Sequence, residues 1–388
     1  MSAHHARAIH LPRPAIGRRR AVRELIRTGH RWIGLSLGLV LVIAGLTGSW
    51  LAFYPELDLL LHPQRHAQGP VQPIRLNAVF AALQAAEPQR DGPWRIEMPR
   101  GEGTPIQARY YLPSETRGQH FAPLMLTLSP TDLKVSSRHF WGDDPSTWLY
   151  NLHYALLLGE TGQTLLACCG ILFLALLLSG LYLWWPRPGA WRGALGFKPN
   201  AAWKRLIYDW HVKPGVYTLL VSLTLCITGL MLVVPAWFSP ALNYFSPITA
   251  GYTGTGSNAG IVLSVSAEQA VAIAQKSFPD AELRWLETPG AGKPIWRVQM
   301  RQPGEPSQRF PRTQVWIDAS TGDILAERDP RRFAASDTLL AWLHPLHNGE
   351  AFGLAGRIVV CLAGLLPLLA LTTGFIRWRH TAGGRKKS

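Results

Sequence analysis

The sequence predicts a membrane α-helical protein: a four-span bundle made of two tandem repeats. Each repeat runs span, extramembrane α+β domain, span, with a pseudo-twofold axis along the membrane normal. Three observations predict it. Four apolar runs reach the roughly 20 residues that cross a bilayer. The excess positive charge is confined to the segments on one side of those runs. The second half of the chain repeats residues of the first at fixed offsets.

Composition agrees with this reading. Of 388 residues, 47% are hydrophobic and only 16% are charged, against about 25% charged in a soluble domain. With 16 Trp, 13 Phe and 10 Tyr, the chain has ample apolar surface to bury, which excludes disorder. The four cysteines, Cys168, Cys169, Cys226 and Cys361, all fall inside apolar runs, which excludes a disulfide framework.

A basic tail over 1–31 precedes the first span, which covers 32–54. That span is too long for a cleavable signal and has no small-residue cleavage site. Residues 55–160 form the first domain. Asn77 is placed to cap a helix to about Ala86, and strands follow near 105–113 and 123–128, with Pro130-Thr131-Asp132 as a turn. The second span, 163–185, contains no charge, and a soluble core helix rarely stays apolar on every face for that long. A basic loop over 186–211 leads to the third span, 212–235. In the second domain, 236–350, Ser266-Ala267-Glu268-Gln269 is a capping box opening a helix to about Ser277. Strands follow near 281–287, 294–301 and 312–318, and the turn Ala319–Asp323 puts Gly322 where positive φ is required. The fourth span covers 356–378, and a basic tail, 379–388, follows it.

Residues 1–31, 186–211 and 377–388 together hold eighteen Lys and Arg and two acids. The remainder of the chain therefore carries −1 of the net +15. This is the positive-inside pattern. It places both termini and the middle loop in the cytoplasm and both domains on the other side, the periplasm of a bacterium. Trp184, Trp185 and Trp378 fall at the cytoplasmic ends, where interfacial aromatics belong. The basic excess is thus a topology signal, and it excludes the nucleic-acid partner that a pI near 10.1 would otherwise suggest.

The repeat is the most informative feature. A shift of 194 sets Trp148, Leu149, Leu152 and His153 on Trp342, Leu343, Leu346 and His347, and Gly159, Gly162, Gly170, Gly180 and Trp184 on Gly353, Gly356, Gly364, Gly374 and Trp378. A shift of 181 sets His30, Gly34, Thr47 and Gly48 on His211, Gly215, Thr228 and Gly229. With an axis along the membrane normal, spans one and three face each other, as do spans two and four.

Four of the 13 histidines follow this pattern. His30 and His211 sit at the cytoplasmic ends of spans one and three, and His153 and His347 near the outer ends of spans two and four. The twofold brings each pair to the axis from opposite sides. Two facing imidazoles are what a b-type haem needs, and the absence of C-x-x-C-H excludes c-type attachment. Two haems b per chain are expected. Gly34, Gly38, Gly215, Gly159, Gly162, Gly353 and Gly356 are placed to give the macrocycle room. His344, three residues before His347, competes for the outer site, and His380 for the inner. A continuous helix from near Asp143 would carry His153 about 15 Å beyond Gln163, at or above the lipid headgroups. His62, His66, His120 and His139 show no metal-ligand spacing, and His4, His5 and His10 read as solvated tail. No nucleotide-binding motif, nucleophile triad or H-E-x-x-H appears, so any enzyme here relies on a cofactor for its chemistry.

Specific stretches resemble a known family. Residues Val315–Leu325, with Asp318, Gly322 and Asp323 in the turn, resemble the closing strand–turn–strand of a PepSY domain. The stretch Trp342–Glu350, then Gly353, Gly356 and Thr373–Trp378, resembles the PepSY-associated transmembrane family, as does His30–Gly34 with Thr47-Gly48. The likeness covers nearly all of 25–380. The first domain departs from it, with Ser129 in the place of Asp318 and no turn glycine. The resemblance implies an iron-regulated protein of the bacterial inner membrane, similar to di-haem ferric-siderophore reductases of the ferrioxamine type. It would be an oxidoreductase that moves electrons from a quinol or a cytoplasmic flavoprotein, through haems on His30/His211 and His153/His347, to a periplasmic ferric siderophore. Siderophores hold Fe(III) far more tightly than Fe(II), so reduction frees the metal. Trp141, Trp148, Tyr150 and His344 are the substrate-contact candidates near that exit. Two other readings compete. One is a non-enzymatic PepSY-type binding or regulatory module anchored by the spans. The other is a siderophore permease, which would want broken helices and intramembrane acids that the sequence does not display.

Overall fold

The first apolar run becomes one long helix, α1 (Ala15–Leu51), in a computed structural model that describes residues 15–66, 73–101, 103–198, 200–254, 264–290 and 292–385. The tail histidines His4, His5 and His10 lie outside the described residues. A short helix α2 (Tyr54–Leu61) follows, then α3 (Leu76–Ala86) and four strands: β1 (Trp94–Glu97), β2 (Ile106–Tyr110), β3 (Leu124–Leu128) and β4 (Val135–Phe140). Helices α4 (Pro145–Ala155) and α5 (Gly159–Trp184) return through the second apolar run, and α6 (Trp191–Leu195) lies in the loop beyond. The third run comprises α7 (Trp203–Tyr217) and α8 (Leu219–Val233), and α9 (Pro235–Phe245) follows. Then come α10 (Ala267–Ser277) and strands β5 (Glu282–Glu287), β6 (Ile295–Arg301), β7 (Thr313–Asp318) and β8 (Ile324–Arg328). Helices α11 (Ala335–His347), α12 (Gly353–Gly364) and α13 (Leu366–Arg385) complete the order.

Three helical stretches are long and apolar enough to cross a membrane: 17–51, 159–184 and 350–380. A fourth exists if α7 and α8 count as one span, for they are bent by 62° at Thr218. The sequence reading took 212–235 as unbroken. The break falls one turn after Pro214, which lies inside α7 and donates no backbone hydrogen bond. The Thr218 hydroxyl donates to the Pro214 carbonyl at 2.7 Å and helps close the turn. The chain is thus a multi-pass membrane protein with an extramembrane antiparallel sheet.

Two compact units make up the chain. One comprises Met1–Val42, Ile171–Leu223 and Leu366–Ser388, the other Ile43–Gly170 and Thr224–Leu365. In the first, α7 packs along α13. Within α7 a buried ion pair joins Asp209 and Lys213 at 2.9 Å. Lys213 also donates to the Gly196 carbonyl and lies over the Phe197 ring.

The second unit holds an eight-stranded antiparallel sheet in the order β4-β3-β2-β1-β5-β6-β7-β8. The two predicted domains are therefore joined: β1 pairs with β5, Ile96 opposite Leu286 and Arg95 opposite Glu287. Alternation supplies the core. Trp94, Ile96, Ile106, Ala108, Leu126, Leu286, Val298, Val315 and Ile317 point to one face, under α3 and α10. The Ser266 capping box forms as read, and Gly322 has φ of +82°. Asn77 does not cap its own helix, which starts at Leu76. Its side chain accepts from the Ala267 backbone N–H at 3.0 Å, while its own N–H donates to Glu268 at 2.7 Å. It thus caps α10 instead. In the first-domain turn, Leu133 stands at φ +57° where the second has Gly322, and the Ser129 hydroxyl accepts weakly from Thr131 N–H at 3.4 Å, as Asp318 does more closely in its own turn.

Candidate functional site

The four repeat-matched histidines come together in two pairs, each inside one unit. His30 of α1 faces His211 of α7 with ring centroids 6.4 Å apart. His153 of α4 faces His347 of α11 at 6.1 Å. His344 does not face His153. It stacks on Phe310 at 4.3 Å instead. For His380 no interaction with either pair is present among the described residues.

Each ring is held in the same way. His153 Nδ1 lies 2.9 Å from the Thr47 hydroxyl and 3.1 Å from the Ala44 carbonyl of α1. His211 Nδ1 lies 3.0 Å from the Thr373 hydroxyl and 3.1 Å from the Ala370 carbonyl of α13. His347 Nδ1 lies 3.0 Å from Thr228 of α8, and the Leu225 carbonyl also accepts from it. His30 Nδ1 lies 2.9 Å from Ser179 of α5, with the Leu176 carbonyl accepting too. A carbonyl has no proton to give, so Nδ1 carries the hydrogen in all four. The hydroxyls agree: Thr47, Thr228 and Thr373 donate to carbonyls four residues back and Ser179 to one three back, leaving their oxygens free to accept.

A glycine follows each hydroxyl and gives the ring its space. A Cβ at Gly48 would come 3.0 Å from His153 Cε1. At Gly229 it would come 2.9 Å from His347 Cε1, at Gly374 3.1 Å from His211 Cε1, and at Gly180 3.2 Å from His30 Cε1. Four of the glycines expected to make room do other work. Gly162 and Gly356 let the chain pass the carbonyls of Ala155 and Gly349 at the breaks before α5 and α12, and Gly159 and Gly353 take positive φ there.

Those breaks also relocate His153. Leu156 and Leu157, at φ +50° and +60°, end α4 before α5 begins. The histidine is not carried outward on a continuous helix. Its ring lies against Thr47 and Gly48, within the first predicted span.

The donor set defines what could bind. With Nδ1 engaged, Nε2 presents its lone pair, and no Nε2 of the four makes a hydrogen bond among the described residues. Two imidazoles on one metal axis, with bonds of about 2 Å, place their centroids about 6 Å apart. No third His, Cys, Asp or Glu joins either pair among the described residues. A lone zinc ion would need four donors, whereas a macrocycle brings its own equatorial ones. The residues therefore fit the axial positions of a b-type haem.

Sequence reasoning matched Thr47 with Thr228 and quoted Thr373 in a family stretch but gave them no role, and it missed Ser179. The available signal was a hydroxyl–glycine pair at four repeat-matched places. It also saw no grouping among the loop histidines. The structure sets His62 and His139 beside Asp58 and Asp144. Asp58, His62 and Asp144 are the one potential metal trio among the described residues, but Arg65 already bridges both carboxylates.

Of the substrate-contact candidates, Trp141 is buried, donates to Asn151 at 3.0 Å and packs on Tyr150, Tyr54 and Phe121. Trp148 is exposed. No curated protein matches the chain. The family model of the PepSY-associated TM region matches residues 27–380. That match spans both histidine pairs and the whole sheet, and the chain belongs to this family.

Proposed function

We propose that this protein is an inner-membrane oxidoreductase that passes electrons across the membrane to a ferric siderophore and releases Fe(II). His30 and His211 would hold one haem b, and His153 and His347 a second. Bound haem iron supplies one-electron exchange between its ferric and ferrous states. The observation that carries this reading is the fourfold cradle of hydroxyl, carbonyl and glycine, which fixes the proton on Nδ1 and leaves Nε2 without a hydrogen bond among the described residues. Such partners set ring orientation and raise ligand basicity. A histidine that merely packed at a headgroup would not need the same support four times.

The charge asymmetry puts His30 and His211 on the cytoplasmic side, with both termini, and the sheet in the periplasm. The matched order of helix, four strands and two further helices in each half supports two tandem repeats about one axis. A quinol or a cytoplasmic flavoprotein would supply electrons at the inner pair. Trp148, Tyr150 and His344, beside the outer pair in sequence, are the candidate contacts at the exit.

A reduced-minus-oxidised optical spectrum of the purified protein, with haem quantified per chain, tests the proposal. Two low-spin b haems are expected. His30→Ala or His211→Ala should leave one, and so should His153→Ala or His347→Ala. A colourless protein from haem-replete cells overturns it.

A further inference from the structure

The sheet has two unlike faces. One carries the apolar core under α3 and α10, and the other carries arginines among aromatic rings. On that second face Arg95, Glu97, Gln107, Arg109 and Met125 line a shallow pocket. The Arg95 guanidinium lies 3.2 Å over the Trp285 ring and donates to the Tyr111 hydroxyl at 2.6 Å. Arg109 lies over Trp141 at 5.0 Å and Phe121 at 5.9 Å, and its Nε is buried without a hydrogen-bond partner among the described residues. Arg309 lies over Tyr54 at 4.7 Å. None of these three arginines makes an ion pair among the described residues.

Glu97 is the only acid in the lining, and Arg100 already pairs with it. Burial alone would raise its pKa, yet the charges of Arg100, Arg309 and Arg109 hold it below the usual carboxylate range. The field in the pocket is therefore positive. Desolvated guanidinium groups with free donors are costly unless an acceptor arrives.

We infer that this pocket is a recognition site for an anionic ferric chelate, gripping one carboxylate or catecholate arm between Arg95 and Arg109. The identification of the ligand as an iron chelate rests on the proposed reductase function, while the preference for an anion does not. The pocket has room for about one water molecule, so it takes only the anionic tip of one arm, with the rest of the chelate outside. Arginine forks suit a planar, negatively charged end group and discriminate against neutral or cationic chelates. Contacts run from the pocket toward the outer histidine pair: Arg95 covers Trp285, Trp285 meets Phe310 edge-on at 5.7 Å, and Phe310 stacks on His344, one helical turn before His347.

The test uses the full chain in detergent and redox-inert probes, so binding is read without electron transfer. Equilibrium dialysis compares the trianion gallium(III) tris-catecholate with neutral gallium(III) tris-acetohydroxamate. The trianion is expected to bind more tightly by about tenfold or more. Arg109→Gln and Arg95→Gln should each weaken it by about tenfold while leaving the neutral probe unchanged. Arg109→Lys keeps the charge but loses the fork, so its affinity should fall between those of wild type and Arg109→Gln, and an unfolding curve matching wild type shows each variant folded. Equal binding of the two probes, or wild-type affinity in both Gln variants, overturns the inference. Haem-free protein that still prefers the trianion leaves this site standing and removes the reductase. Haem-replete protein without the preference does the opposite.

Discussion

The position of one proton decides whether a buried histidine can serve as a metal ligand. Here a carbonyl three residues before each hydroxyl accepts from Nδ1, and the hydroxyl adds a second acceptor. Thr228→Val keeps the shape and removes the hydroxyl. Haem at the outer site should then bind about 10- to 100-fold more weakly, read as faster transfer to a haem scavenger, and Thr228→Ser should restore it. Gly229→Ala should push the His347 ring aside and leave one haem per chain, as measured by the haem assay. The histidines were legible because they recur at repeat-matched positions. Their partners were not, because a Thr or Ser in an apolar helix ordinarily bonds only its own preceding turn. The second partner across the bundle shows only in the recurrence of a hydroxyl–glycine pair between the repeats.

Among elements, the mutual capping of α3 and α10 joins the two halves of the sheet's helical layer. Asn77→Ala removes an acceptor from the Ala267 N–H and should cost about 1 kcal/mol, seen as a lower unfolding temperature of the extramembrane sheet. Ser266→Ala breaks the capping box of the same helix end, so the two losses should not add. Ser266 was readable, because a capping box is a local pattern. Asn77 looked equally local but serves a helix about 190 residues away in sequence. The break after α4 was hidden for a related reason. It places Leu156 and Leu157 at positive φ, and leucine is a strong helix former. The bend at Thr218 falls one turn after Pro214, and a proline inside an apolar run does not state where or how far the helix turns.

For the whole molecule, the proposed sidedness rests on charge, because basic residues near span ends resist translocation. Single cysteines test it. Lys276→Cys, on α10, should react with an impermeant thiol reagent applied to intact spheroplasts. Gly193→Cys, in the basic loop, should react only after lysis. The reverse result would invert the topology and place the sheet in the cytoplasm. The two separate domains of the sequence reading became one sheet through β1, a strand of four residues following Pro93. So short a strand gives too little alternation to detect, and its pairing with β5 is set by packing rather than by pattern.

The β1–β5 seam also bears on how such a chain could arise and persist. Two unlinked half-chains would have to meet edge to edge at this seam, at a rate set by their concentration. Each, while waiting, would present an unpaired strand to any other chain. Fusion makes the encounter intramolecular, with an effective concentration set by the linking polypeptide. It also confines the free edges of the sheet to β4 and β8. A half-length chain ending before α10 should therefore self-associate through β1, whereas the intact polypeptide completes the same pairing within itself.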